Sequence, residues 1–107
     1  MNVMTNNNIK CTIALAALQQ VIDPEIGLNI VDLGLVYRLD FDDACQKIEV
    51  TMTLTTPFCP MGASITHAVE KVLSTTFAGE QIAVNLSFDP PWKHDRISEA
   101  GKLFLNR

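Results

Sequence analysis

The alternation of apolar and polar positions sets out strands and helices along this chain. In "LVYRLDF", Leu35, Tyr37, Leu39 and Phe41 share one face. "KIEVTMTLT" sets Ile48, Val50, Met52 and Leu54 against Glu49, Thr51, Thr53 and Thr55. "QIAVNLSF" sets Ile82, Val84, Leu86 and Phe88 against Ala83, Asn85 and Ser87. Period two of this kind predicts strands with one covered face. The short polar "DDACQ" joins the first pair as an antiparallel hairpin. A helix is expected from about Ile9 to Ile22, with Leu15, Leu18 and Ile22 on one stripe and Ile13, Ala17 and Val21 beside it. Pro24 stops it. A second helix, from about Met61 to Phe77, packs through Ile65, Val69, Val72 and Leu73, turns Ser64, His67 and Lys71 outward, and ends at Gly79. A last helix, from about Arg96 to Leu105, takes Asp95 as its cap and packs through Ile97, Ala100 and Phe104.

Between these elements, "DPEIGLNIVDLG" reads as a structured connection with turns at Gly27 and Gly34. Residues 1–8 read as a disordered leader and residues 9–107 as a single domain. The order α-β-β-α-β-α gives an α+β fold: a small mixed three-stranded sheet with helices packed on one face.

Composition narrows the function. The chain has 107 residues, 48% of them hydrophobic, with eight Lys and Arg against twelve Asp and Glu for a net charge of −4. No basic run exists, which argues against nucleic acid as a partner. The apolar run Thr12 to Leu18 falls well short of the ~20 residues that span a membrane, and its flanks suit neither signal-peptide charge nor cleavage. Cys11, Cys45 and Cys59 stand far apart without a CxxC pair, as reduced thiols of a cytoplasmic protein do, and draw no zinc framework.

The chemistry centres on "TLTTPFCPMG", residues 53–62. Pro60 suits a first helical position, which makes Cys59 the expected N-cap, facing unpaired N–H groups and the positive helix end that favour a thiolate. Thr55 and Thr56 precede it at a strand end and have hydroxyls to offer an anion or a cluster. The plain alternative for Cys59 is a small core side chain. Cys11 and Cys45, in a helix and a hairpin turn, read as structural. His67 lies eight residues beyond Cys59, roughly 12 Å along a helix, too far to serve as its base or to share a zinc ion with it. His94 lies in a loop. Asp23 and Glu25 read equally as metal ligands or as turn residues around Pro24. Arg96 and Ser98 read as donors to an anion or as helix-end surface groups, and Trp92 as a contact surface or a wedge over the core.

Three segments, "DPEIGLNIVDLGLVY", "MTLTTPFCPMG" and "DPPWKHDRISEAGK", resemble in order and spacing the metal–sulfur cluster assembly factors, the SufT- and PaaD-like family. The resemblance runs from about Leu15 to Lys102 and implies a small α+β domain that helps mature iron–sulfur proteins. Position by position it implies a site at Asp23, Glu25, Thr55, Thr56 and Cys59, and a partner surface at Trp92, Arg96 and Ser98. PaaD-like members carry a cysteine-containing tail; here no cysteine follows Cys59, which favours the SufT-like members. The implied role is that of an auxiliary factor rather than an enzyme. Cys59 would be the functional thiolate and a transient ligand to iron or to an iron–sulfur cluster. Partners would be assembly scaffolds or carriers and client apoproteins, with a homodimer as one way to bring two thiols together. The alternatives are a metal-free adaptor working through the Trp92 region and a thiol enzyme with His94 as base.

Overall fold

The computed structural model describes residues 3–58 and 60–106. Within them lie β1 (Met4–Thr5), α1 (Asn8–Leu18), β2 (Val36–Asp42), β3 (Lys47–Met52), α2 (Gly62–Thr76), β4 (Gln81–Leu86), a 3-10 turn (His94–Arg96) and α3 (Glu99–Leu105). The strands form one mixed sheet in the order β1-β2-β3-β4, with β2 and β3 antiparallel and the outer pairings parallel. The sheet has four strands where three were expected.

The additional strand comes from the stretch read as a disordered leader. Met4 and Thr5 pair with Arg38 and Leu39. Asn6 then continues the ladder through its side chain, donating Nδ2 to the Phe41 carbonyl at 3.0 Å and accepting the Phe41 N–H at 2.9 Å. Asn7 caps α1 by accepting the Lys10 N–H.

The central hairpin pairs Leu39 with Val50 and Phe41 with Ile48, all buried beneath α1 and α2. A bulge falls at Tyr37, since Val36 faces Met52 while Arg38 faces Thr51. Val36 therefore shares the covered face with Leu39 and Phe41, and Tyr37 leaves it, contrary to the simple alternation. Its ring lies 4.2 Å beneath the Arg96 guanidinium carbon and its hydroxyl donates to the Pro90 carbonyl at 2.9 Å.

α2 buries Ile65, Val69 and Leu73 and exposes Ser64, His67 and Lys71, as its pattern requires. α1 is shorter than expected and turned about its axis. Cys11, Ala14 and Leu18 face the core, while Ile13 and Ile22 are about half exposed, at 47% and 49%. It stops at Leu18 because the next residues take part in extended pairing: Ile30 N–H donates to the Val21 carbonyl and Asp23 N–H to the Leu28 carbonyl, both at 3.0 Å.

The third helix begins later than expected. Asp95 lies inside the 3-10 turn, and Ser98 is the cap of α3, accepting the Gly101 N–H at 3.0 Å. Ile97 is buried, whereas Ala100 and Phe104 are exposed. α3 packs on the connection before β2 through Gly101, where an added Cβ would come 2.9 Å from Ile97 Cγ2 and 3.0 Å from Leu28 Cδ2. That close approach explains a glycine in a helix interior, where it costs about 1 kcal/mol relative to Ala.

Candidate functional site

One end of the sheet gathers the segments that carry candidate chemistry. β3 and β4 finish there, β2 starts there, and α2 begins there. Backbone bonds tie these segments together after the strands end: Thr53 N–H donates to the Leu35 carbonyl and Ser87 N–H to the Met52 carbonyl, both at 2.8 Å. Leu35 N–H donates to Ile30, and Ile30 to Val21, which brings residues 21–30 to the same end. These bonds run the segments 21–30, 53–56 and 87–98 toward one end of the sheet, although among the described residues no hydrogen bond or ion pair joins Asp23 or Glu25 to Thr55 or Thr56.

Asp23 is buried, with 1% of its surface exposed. Its Oδ1 accepts the N–H groups of Glu25 at 2.9 Å and Ile26 at 3.3 Å, and its carbonyl accepts the Gly27 N–H at 2.7 Å. These are the contacts of a turn-forming aspartate. Glu25 sits on that turn with its side chain exposed. Thr55 and Thr56 are half-buried, and Thr56 Oγ1 accepts the Phe58 N–H at 3.2 Å. A hydroxyl that accepts one bond keeps its proton to donate elsewhere.

Cys59, with its expected N-cap position, lies outside the described residues. The N-cap of α2 is Met61, which makes no side-chain capping bond, so the helix starts later than Pro60 alone indicated. Gly62, the first residue of α2, admits Leu54 closely: an added Cβ would meet Leu54 Cδ1 at 2.8 Å.

Phe58 escaped the reading of the sequence. It is 87% exposed, with Pro57, Pro60 and Met61 also exposed beside it. Its signal was present as an aromatic residue between prolines, outside any period-two or helical stripe.

Trp92, Arg96 and Ser98 all turn inward onto three consecutive residues. Trp92 Nε1 donates to the Leu33 carbonyl at 2.7 Å, Arg96 Nε to the Gly34 carbonyl at 2.8 Å, and Ser98 Oγ to Asp32 Oδ1 at 2.7 Å. Gly34 permits this, having φ +77° and space for no side chain, since a Cβ would sit 2.4 Å from the Arg96 carbonyl oxygen. The three side chains fasten the C-terminal segment to the turn before β2. His94 packs against Trp92 with ring centroids 5.3 Å apart, and His67 is exposed on α2.

A protein-family model described as "Iron-sulfur cluster assembly protein" matches residues 13–86. The chain belongs to that family. It is 40% identical over 91 residues to the Fe-S protein maturation auxiliary factor YitW of Bacillus subtilis (strain 168), covering 85% of this chain and 88% of that one. It is 44% identical over 85 residues to the Fe-S protein maturation auxiliary factor SufT of Staphylococcus aureus (strain USA300), covering 79% and 96%. The crystal structure of a domain of unknown function, DUF59, from Bacillus anthracis superposes with a TM-score of 0.83 at 42% identity, covering 89% and 90%.

Membership in an iron–sulfur assembly family raises the question of which donors this chain has for a metal. Among the described residues, no group of three or more His, Cys, Asp and Glu is placed to hold one. Cys45 is exposed in the hairpin turn, at the opposite end of the sheet. Cys11 is buried in α1, and burial pushes its thiol pKa up despite an opposing hydrogen bond with Thr5. A four-thiolate cluster of the ordinary kind therefore does not fit as a resident group of one chain. No helix among the described residues is long and apolar enough to cross a membrane.

Proposed function

We propose that this protein is an auxiliary factor in the maturation of iron–sulfur proteins, acting in the cytoplasm and using Cys59 as its functional thiolate. The observation that carries the reading is the similarity, at 40% and 44% identity over most of their lengths, to relatives named as Fe-S protein maturation auxiliary factors. Iron or a cluster is cargo in this scheme. Cys59 lends one thiolate transiently, and the remaining ligands come from a second copy of the chain, a small thiol or the client apoprotein. Thr55 and Thr56 donate hydroxyl hydrogen bonds to the cargo's sulfur atoms; the bond that Thr56 accepts from Phe58 leaves its proton for this purpose. Asp23 positions the turn, and Glu25, exposed on it, supplies the carboxylate oxygen. Assembly scaffolds or carriers dock on the segment that Trp92, Arg96 and Ser98 hold rigid.

The runner-up, a metal-free adaptor, draws support from the exposed Phe58, an apolar anchor without a core to fill. Complementation of cells lacking the protein separates the two. We expect wild type to restore the activity and iron content of client iron–sulfur enzymes, and Cys59→Ser to fail while accumulating as folded protein. Restoration by Cys59→Ser, with failure of Phe58→Ala, would establish the adaptor instead.

A further inference from the structure

We infer that the cavity beside Arg96, apart from the Cys59 loop, is a binding site for a small organic monocarboxylate. The cavity measures about 390 Å³ and has Val3, Val31, Val36 and Ile97 as apolar walls, with Arg96 and Lys102 as its cations. None of the residues lining it belongs to the Asp23, Glu25, Thr55 and Thr56 set, although Arg96 and Ser98 also belong to the segment proposed above to dock partners.

Arg96 is half-buried and held in place from two sides. Its Nε donates to the Gly34 carbonyl at 2.8 Å, and its guanidinium carbon lies 4.2 Å from the Tyr37 ring centre. The ion pairs among the described residues are Lys10–Asp43, Arg38–Asp40 and Lys47–Glu49, so no carboxylate there comes within 4.0 Å of Arg96. Its terminal amino groups likewise have no hydrogen-bond acceptor among the described residues. A guanidinium stays charged at any physiological pH, and its planar fork matches a carboxylate. Partial burial without an ion-pair partner within 4.0 Å leaves the guanidinium fork to an anion from solution.

The rest of the lining narrows the anion. Asp95 and Glu99, both exposed, also border the cavity and repel a multiply charged ligand such as phosphate. The valine and isoleucine walls reward an aliphatic body. Ser98 borders the cavity too, but its hydroxyl already donates to Asp32 and accepts from Gly101. Recognition of the head group therefore falls to Arg96.

The test is an NMR titration of the ¹⁵N-labelled full chain with 3-methylbutanoate, its neutral amide 3-methylbutanamide, and inorganic phosphate. We expect saturable shifts of Val31, Gly34, Val36 and Ile97 with the carboxylate, and binding weaker by about tenfold or more with the amide, which loses a charge-assisted hydrogen bond. Phosphate should not saturate these residues. Arg96→Lys should weaken binding by about tenfold. Glu99→Gln, a surface change that leaves the Arg96 contacts in place, should tighten it by about twofold, the size of one exposed charge interaction. Absence of saturable shifts at the cavity, equal binding of the amide, preferential binding of phosphate, or indifference to Glu99→Gln would each overturn the inference.

Discussion

The two ends of the sheet are built by different means. At the hairpin end the contacts are largely local: Cys45 N–H donates to Asp42 Oδ1 at 3.1 Å, Gln46 N–H to the Asp43 carbonyl at 3.4 Å, and Lys47 pairs with Glu49 at 3.1 Å. Lys10 reaches Asp43 in an exposed pair, and such pairs add little stability. At the other end, Tyr37 bonds Pro90, Trp92 bonds Leu33, Arg96 bonds Gly34 and Ser98 bonds Asp32, with partners 53, 59, 62 and 66 residues apart. Side-chain bonds of that span tie the segment 90–98 to the segment 32–37. Long-range side-chain bonds are concentrated where the segment 90–98 crosses the start of β2. At the hairpin end the long ties span fewer residues, the Asn6 side chain to the Phe41 backbone and the Gln81 N–H to the Gln46 carbonyl at 2.8 Å.

That contrast can be broken by mutation. The largest effect should follow Gly34→Ala, which combines a left-handed φ of +77° with a Cβ 2.4 Å from the Arg96 carbonyl oxygen. We expect a loss of about 2–4 kcal/mol in urea unfolding followed by circular dichroism, from overpacking and backbone strain together. At the hairpin end the corresponding change is Gln46→Gly. Gln46 occupies φ +50°, so the substitution should leave stability unchanged or raise it by up to about 1 kcal/mol. A Gly34→Ala protein as stable as wild type would remove the distinction.

Next in size is Ser98→Ala, which removes both the cap of α3 and the bond to Asp32. It should cost about 1–2 kcal/mol in the same assay. Asp43→Asn at the hairpin end should cause no measurable change.

The smallest effect concerns pH. Burial raises the Cys11 thiol pKa above its ordinary value of 9.0, so the unfolded chain gives up this proton first. The contribution to stability is complete below 9.0 and is lost as pH rises through the folded value. Wild type should therefore lose stability above that pH more steeply than Cys11→Ala. Iodoacetamide labelling at neutral pH should modify the exposed Cys45 and spare Cys11.

Legibility followed the same division. β3 and α2 were readable because each is covered on one face only, which writes a period into the sequence; β4 was found as a strand, but of its expected covered face only Ile82 and Val84 pack on the core, while Leu86 and Phe88 are exposed. α1 was found but misoriented, because "TIALAAL" is apolar all round and its stripe is decided by what the sheet offers. β1 was missed because two residues hold no period, and its pairing is completed by an Asn6 side chain acting as backbone. The Tyr37 bulge arises in the pairing with β3, and the bonds of Tyr37, Trp92, Arg96 and Ser98 depend on partners more than fifty residues away, which no local pattern encodes. The motif read as a partner surface is, in its side-chain contacts, a fastening.

Under the proposed function Cys59, and not the thiol at the hairpin end, handles iron–sulfur cargo. Anaerobic reconstitution with ferrous iron, sulfide and a small thiol, read by absorption and Mössbauer spectroscopy, tests it in wild type, Cys59→Ser and Cys45→Ser. We expect cluster uptake by wild type and Cys45→Ser and none by a folded Cys59→Ser protein. Equal uptake by all three, loss only in Cys45→Ser, or no uptake by any of them would contradict it.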